Sequence, residues 1–360
     1  MINVLIVDDS EFARRLLRKV LGNDPEIRVV GAVSDGNEAI RFLENPPPEQ
    51  KPDVVTMDII MPGMDGFDVT RKIMETHPLP IVIVTSSYNI NDVEKTFRAM
   101  EAGAVTILQK PGRMANDDLE RVCKELTETV KLMAGVKVVR IWPREKKKIP
   151  AAVTSSAASA VHPNNFRVLA MGASTGGTVA LQYILLSLPR EIPVPVMVVQ
   201  HIGGEFIAGM ASWLEKTTKF PIHLAQAGQK MQPGHVYLAP NDFHLGVHPG
   251  DIIKLSHSEI EEGLRPSVTY LFRSVSQVYK EKAIGVLLTG MGKDGALGLK
   301  AMRDAGAVTI AQDKSTSAVF GMPAEAIKLD AAQYILPLPE IPIKIHQVMA
   351  IAPPPDDDGI

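Results

Sequence analysis

Short apolar runs, each closed by a polar residue and followed by a stretch with helical spacing, recur through the first third of the chain. Ile2 to Val7 runs into Asp8-Asp9, and Ser10 can cap a helix whose apolar face is Phe12, Ala13, Leu16, Leu17 and Val20. The unit then repeats. Val29 to Val33 precedes a helix around Glu38 to Leu43, Val54 to Met57 ends at Asp58, and a helix starts at Gly66. Ile81 to Val84 ends at Thr85 with a helix from Asn91, and Val105 to Leu108 ends near Lys110. A last helix aligns Leu119, Val122, Leu126, Val130 and Met133. Strand alternating with helix predicts an α/β fold with a five-stranded parallel, doubly wound sheet over residues 1–134.

The periodicity stops between residues 135 and 165. Arg144-Glu145-Lys146-Lys147-Lys148 leads into a stretch rich in Pro, Ala and Ser, the composition of a flexible linker. Alternation resumes with Val168-Leu169-Ala170-Met171, which runs into Gly172-Ala173-Ser174-Thr175-Gly176-Gly177 and a helical pattern through Val179, Leu181, Ile184, Leu185 and Leu188. Pro195 to Gln200 reads as a strand ending at His201, and Phe206, Met210, Trp213 and Leu214 as a helix. Shorter strands follow near His223, His235 to Ala239 and Ile252 to Leu255, then a helix with Val268, Leu271, Phe272, Val275 and Tyr279. Ala283 to Thr289 is a buried strand that opens into Gly290-Met291-Gly292-Lys293-Asp294-Gly295. Residues 166–350 thus predict a second layered α/β/α domain with a mostly parallel sheet, and Pro353 to Asp358 places a disordered tail at 351–360.

A length of 360 residues accommodates two such domains. The net charge of −3 gives no basic domain and speaks against a nucleic-acid partner. No apolar run is long enough to span a membrane and no signal peptide opens the chain, so the expectation is a cytoplasmic protein with no direct membrane insertion. Cys123 is the lone cysteine, expected in the core of its helix. The working expectation is a monomer.

Asp8, Asp9, Asp58, Thr85 and Lys110 all fall at strand carboxyl ends, where doubly wound sheets bind ligands. Three close carboxylates repel unless a cation sits among them, and hard oxygen ligands favour Mg²⁺. Carboxylate, Mg²⁺, hydroxyl and ammonium together suit phosphoryl transfer to an aspartate. With Asp58-Ile59-Ile60-Met61-Pro62-Gly63-Met64-Asp65-Gly66 and Lys110-Pro111, the segment resembles the receiver domain of two-component response regulators. That resemblance implies phosphorylation of Asp58 by a histidine kinase and Mg²⁺ held by Asp9, Asp58 and the Ile60 carbonyl, with Asp8 acting through water. It implies a switch role for Thr85 and Lys110. Ile107 stands where many receivers carry a switching aromatic, which points to output through a domain interface.

Gly172-Ala173-Ser174-Thr175-Gly176 gives the G-x-S-x-G spacing of a strand-to-helix turn that exposes a serine Oγ. Such a nucleophile needs a base oriented by an acid. The strand-end rule selects His201 and Asp294, with His244 and Asp242 in reserve. The order Ser174, His201, Asp294 differs from the Ser, acid, His order of the α/β-hydrolases. Backbone N–H groups of Thr175 or of the Met291 loop are candidate oxyanion donors. No histidine and carboxylate spacing resembles a zinc set, so no cofactor is expected at this site.

Together with Gln200-His201, Arg265-Pro266-Ser267, Leu271-Phe272-Arg273-Ser274, Thr289-Gly290-Met291-Gly292 and Phe320-Gly321-Met322-Pro323, these residues resemble the catalytic domain of the chemotaxis protein-glutamate methylesterases. The resemblance covers about residues 1 to 345 once the receiver is included. It implies hydrolysis of glutamate γ-methyl esters on methyl-accepting chemoreceptors, often with deamidation of receptor glutamines, by Ser174, His201 and Asp294. Two departures concern the surroundings of the triad: Ile202-Gly203 replaces a common Met-Pro pair, and Thr269 replaces a common aspartate. A phospho-switched adaptor is the reading from another class, and the layered domain after the linker speaks against a second rival, a DNA-binding regulator.

Overall fold

The computed structural model describes residues 1–85, 97–112, 116–136, 138, 166–203 and 206–350. The chain divides into two compact units, Met1–Lys147 and Lys148–Ile360. The predicted linker, apart from residues 135, 136 and 138, and the predicted tail lie outside the described residues, as does the predicted start of a helix at Asn91.

In the first unit, strands β1 (Ile2–Val7), β2 (Ile27–Val33), β3 (Val54–Met57), β4 (Ile81–Thr85) and β5 (Thr106–Gln109) form one sheet in the order β2-β1-β3-β4-β5. All its pairings are parallel. Helices α1 (Glu11–Gly22), α2 (Gly36–Glu44), α3 (Gly66–Thr76) and α4 (Asn116–Met133) cover it. Each of the first three starts at a polar side chain that accepts an otherwise unpaired amide, Ser10 from Ala13, Asp35 from Glu38 and Asp65 from Asp68. Residues 97–101 are helical, and Phe97, Ala99 and Met100 are buried.

Two expectations change. Phe12 is 69% exposed, because α1 buries Ala13, Leu17 and Leu21 and turns Phe12 to solvent. Cys123 is only partly buried, one position off the stripe of Val122, Leu126 and Val130, and burial raises its thiol pKa.

The second unit has a seven-stranded parallel sheet in the order β14-β13-β12-β6-β7-β9-β8. Its strands are β6 (Val168–Ala173), β7 (Val196–Gln200), β8 (Ile222–Leu224), β9 (Val236–Leu238), β12 (Ala283–Leu287), β13 (Val308–Gln312) and β14 (Tyr334–Leu336). The chain lays β7, β8 and β9 on one side of β6, then crosses to lay β12, β13 and β14 on the other. The strand order therefore reverses at β6, where sheets of this kind open a crevice at their carboxyl ends.

Helices α5 (Gly177–Ser187), α6 (Ile207–Thr218), α7 (Val268–Tyr279), α8 (Ala296–Asp304), α9 (Met322–Lys328) and α10 (Glu340–Met349) complete the unit. The periodicity did not reveal β10 (His244–His248), which pairs antiparallel with β11 (Ile252–Ser256). This hairpin packs on α7 through Leu245, Val247 and Ile253 against Leu271, Phe272 and Val275. Gly246 interrupts the apolar alternation because a Cβ there would come 2.7 Å from Ser274 Oγ. Among the described residues, no helix is long and apolar enough to cross a membrane.

Candidate functional site

Two sites take shape, one at each strand-order reversal. In the first unit that point lies between β1 and β3. Asp8 and Asp58 follow those strands and are buried, at 1% and 6% exposure, while Asp9 is exposed. Lys110 Nζ reaches between them, 2.6 Å from Asp58 Oδ2 and 2.7 Å from Asp8 Oδ2. The Lys110 amide donates to the Thr85 carbonyl at 2.9 Å, so the ends of β4 and β5 meet beside the carboxylates, and Thr85 is buried there. Asp58 Oδ1 accepts the Ile59 N–H at 2.8 Å. Gly66 leaves room for this turn, since a Cβ at that position would lie 2.1 Å from the Asp58 carbonyl oxygen.

Burial raises the Asp8 carboxyl pKa, and the Asp58 charge adds to it; the Lys110 contact pulls the other way without cancelling the rise. Burial also works against the Lys110 ammonium, but Asp58 and Asp8 outweigh it and its pKa is raised. Ligand atoms of Asp8, Asp9 and Asp58 lie within 4.8 Å of one another. An all-oxygen set of this charge fits a hard divalent cation such as Mg²⁺. The sequence did not flag Arg14, whose Nη1 donates to the Asp8 and Asp9 carbonyls at 2.7 and 2.9 Å and so pins the acidic pair's backbone.

The second site is built on three adjacent strands. Parallel pairing sets Ala173 of β6 opposite Gln200 of β7, and the His201 amide extends the ladder to the Ala173 carbonyl at 3.0 Å. Ser174 and His201 therefore leave neighbouring strands at the same level. On the other flank Leu287 of β12 pairs with Gly172, and Ser174 donates its N–H to the Thr289 carbonyl at 3.0 Å. After Ser174 the chain turns at Gly176, whose φ of 76° is left-handed and whose Cβ would meet Ala318 Cβ at 2.5 Å.

Asp294 arrives from the loop after β12. His201 Nε2 lies 3.0 Å from Asp294 Oδ2, across the end of the strand that carries Ser174. The ring N–H is not aligned on the carboxylate, so this is a close contact and not a formed hydrogen bond. Catalytic contacts are often loose before substrate binds.

Asp294 is 2% exposed and saturated with donors. Oδ1 accepts from Ser267 Oγ at 2.8 Å and from the Thr269 and Gly295 amides at 2.9 Å, and Oδ2 accepts from the Val268 amide at 2.7 Å. The Val268 and Thr269 amides are the first of α7, which Ser267 caps. Burial by itself would raise this carboxyl, but His201 and the Thr269 and Val268 amides outweigh it and hold the pKa at about 2. Thr269, singled out in the sequence as a departure, takes the Gly295 N–H on Oγ1 at 2.7 Å.

The reserve residues have other work. His244 is fully buried, with Nδ1 accepting the Ser267 N–H at 3.2 Å and Nε2 3.1 Å from the Glu259 carbonyl. Both ring nitrogens are thus committed to backbone. Asp242 is held by Arg265 at 2.6 Å and His257 at 2.9 Å on the surface. Of the oxyanion candidates, Thr175 has its carbonyl fixed by Thr289 Oγ1 at 2.9 Å, and Met291 is 41% exposed between Gly290 and Gly292.

Residues 4–122 match the response regulator receiver domain, and residues 169–345 match the CheB methylesterase domain. A protein-glutamate methylesterase/protein-glutamine glutaminase of Geobacter metallireducens is 48% identical over 338 residues, covering 94% of this chain and 96% of that one. The chain belongs to the protein-glutamate methylesterase/protein-glutamine glutaminase family. A relative of the same name from Syntrophus aciditrophicus is 47% identical over 350 residues, covering 97% of each chain. The crystal structure of the Thermotoga maritima CheB methylesterase catalytic domain is 38% identical, with a TM-score of 0.49, and covers 51% of this chain and 98% of its own.

Proposed function

We propose that this chain hydrolyses glutamate γ-methyl esters on methyl-accepting chemoreceptors, and deamidates receptor glutamines, in response to phosphorylation of Asp58 by a chemotaxis histidine kinase. The observation that carries the esterase reading is the meeting of Ser174, His201 and Asp294 at the ends of three adjacent strands, with Asp294 3.0 Å from the imidazole.

Ser174 Oγ attacks the ester carbonyl while His201 takes its proton. Asp294, ionised at neutral pH, favours the imidazolium that results. Backbone N–H groups of Thr175 or of the Met291 loop are the candidate donors to the oxyanion, where losing one donor typically costs about 2.7 to 4 kcal/mol. The imidazolium returns its proton to the departing methoxide, which leaves as methanol. Water, deprotonated by the same nitrogen, then frees the glutamate. With a glutamine side chain the same steps release ammonia.

In the receiver, Asp9, Asp58 and the Ile60 carbonyl would hold Mg²⁺ with Asp8 acting through water; the cation supplies charge neutralisation for phosphoryl transfer. Lys110, already charged between Asp58 and Asp8, is placed to pair with a phosphoryl oxygen, and Thr85 stands beside it. The unphosphorylated receiver restrains the esterase, and phosphorylation relieves the restraint.

Methanol release from methylated receptor, with and without Mg²⁺ and a small-molecule phosphodonor, tests the proposal. Release that vanishes in Ser174→Ala and loses its phosphodonor response in Asp58→Asn is the expected result. Unchanged release in Ser174→Ala would refute the nucleophile, and an unchanged rate after deleting residues 1 to about 150 would refute the restraint.

A further inference from the structure

Gln200 closes β7 immediately before His201 and is 4% exposed. Its Nε2 donates to the Ser174 carbonyl at 2.8 Å and to the His201 carbonyl at 2.8 Å. The two acceptors follow different strands and belong to the two residues that must meet. Both N–H groups of one rigid amide are therefore used to set the separation of the serine turn from the histidine. Because both partners are carbonyls, only the nitrogen end of the amide fits there. The other end, Oε1, is buried without a hydrogen-bond partner. A buried acceptor left unpaired is destabilising, so this side chain is not the choice for stability alone.

The surroundings are shaped to this amide. A Cβ on Gly177 would lie 2.4 Å from Gln200 Oε1 and 2.5 Å from Ala173 Cβ, so a glycine is required where α5 begins. Gly177 in turn donates its N–H to the Ser174 carbonyl at 2.8 Å, the same oxygen that Gln200 holds. The Ser174 carbonyl thus takes one donor from its own helix and one from the neighbouring strand.

We infer that Gln200 is a positioning residue for the reaction, bracing Ser174 against His201 through their main chains without touching substrate. This inference rests on the esterase reading given above. Loss of the brace lets the turn and the imidazole drift apart, and a misplacement of about 1 Å costs on the order of 10²-fold in rate.

Gln200→Met keeps the length of the side chain and removes both N–H groups. In the full chain, kcat for methanol release is expected to fall by about 10- to 100-fold with KM changed less than about twofold. Labelling of Ser174 by a p-nitrophenyl alkylphosphonate should slow by the same factor. A kcat and a labelling rate equal to those of the parent protein, whatever the change in melting temperature, would overturn the inference.

If Gln200→Met does not fold, Gln200→Glu replaces a single group. Its buried carboxyl can donate to one carbonyl only when protonated, and burial lifts such a group toward the neutral range. The activity deficit relative to the parent is then expected to narrow from about pH 8 to about pH 6. A ratio that stays constant with pH contradicts the brace. Ser174→Ala is run beside both: activity surviving there refutes the nucleophile, whereas its loss together with full activity in the Gln200 variants refutes only the brace.

Discussion

Asp294 Oδ2 accepts the Val268 backbone N–H at 2.7 Å, so the acid beside His201 is bound to the first turn of α7. A helix N-terminus carries partial positive charge, which stabilises a carboxylate placed there. The folded-state value of about 2 lies below the ordinary 3.8. Stability from this group is full above the ordinary value and is lost as the pH falls through the folded one. Denaturant unfolding of the full chain should therefore lose about 2 kcal/mol between about pH 4 and pH 2 on account of Asp294, a component that Asp294→Asn removes.

His201 and His244 should separate cleanly. His201→Gln is expected to reduce methanol release by at least about 10³-fold with little change in melting temperature. His244→Gln disturbs a buried imidazole bonded to the Ser267 amide and stacked on Tyr270 at 4.6 Å. It should lower stability by about 1 to 3 kcal/mol while the folded fraction keeps most of its activity. The reverse pattern would move the base to His244.

Gly177→Ala forces a methyl group into the space of Gln200 Oε1 and Ala173 Cβ. Overpacking of this kind costs about 1 to 3 kcal/mol. Chemical denaturation should show that loss, and esterase activity should fall with it because the same shift displaces the Ser174 turn.

In the receiver, the raised pKa of Asp8 means that its carboxylate opposes folding at neutral pH. For a group shifted upward, the favourable contribution exists below its ordinary value and disappears as the pH rises through the folded one. Asp8→Asn should raise the melting temperature in the presence of a chelator and weaken the response to Mg²⁺, as read by titrating the metal against thermal unfolding. A lower melting temperature would show that the Lys110 contact, and not burial, dominates.

His223 Nε2 and His235 Nδ1 are 2.8 Å apart with nearly parallel rings, and one nitrogen must be unprotonated for them to bond. Burial and then the neighbouring His223 hold the pKa of His235 below the ordinary 6.5. Their contribution is complete above that value and declines as the pH falls below it. Unfolding midpoints measured from about pH 7.5 to about pH 5 should drop, with a shallower slope in His223→Gln.

The sequence was most legible where local chemistry and topology agree. Asp8, Asp58 and Lys110, like Ser174, His201 and Asp294, could be placed because each follows an apolar run whose carboxyl end is a ligand-binding position. Gln200 and Ser267 stand within the quoted motifs, but nothing in their spacing says that one spans two carbonyls and the other feeds Asp294. Those partners are set by strand register and by how α7 approaches the Asp294 loop, which are properties of the assembled sheet. The strand beginning at His244 is not legible because Gly246 breaks the alternation where Ser274 approaches. Phe12 misled because its position satisfies helical spacing while α1 is rotated to bury Leu17 and Leu21.

The reversal of strand order at β6 also governs when the esterase site can exist during synthesis. Ser174 and His201 follow consecutive strands and can meet early, whereas Asp294 follows a hairpin, a helix and a crossover to the far side of β6. A nascent chain that has released only the first of these segments holds a serine and an imidazole with no carboxylate to orient them. On the proposed triad, hydrolytic competence is thereby deferred until β12 has docked beside β6.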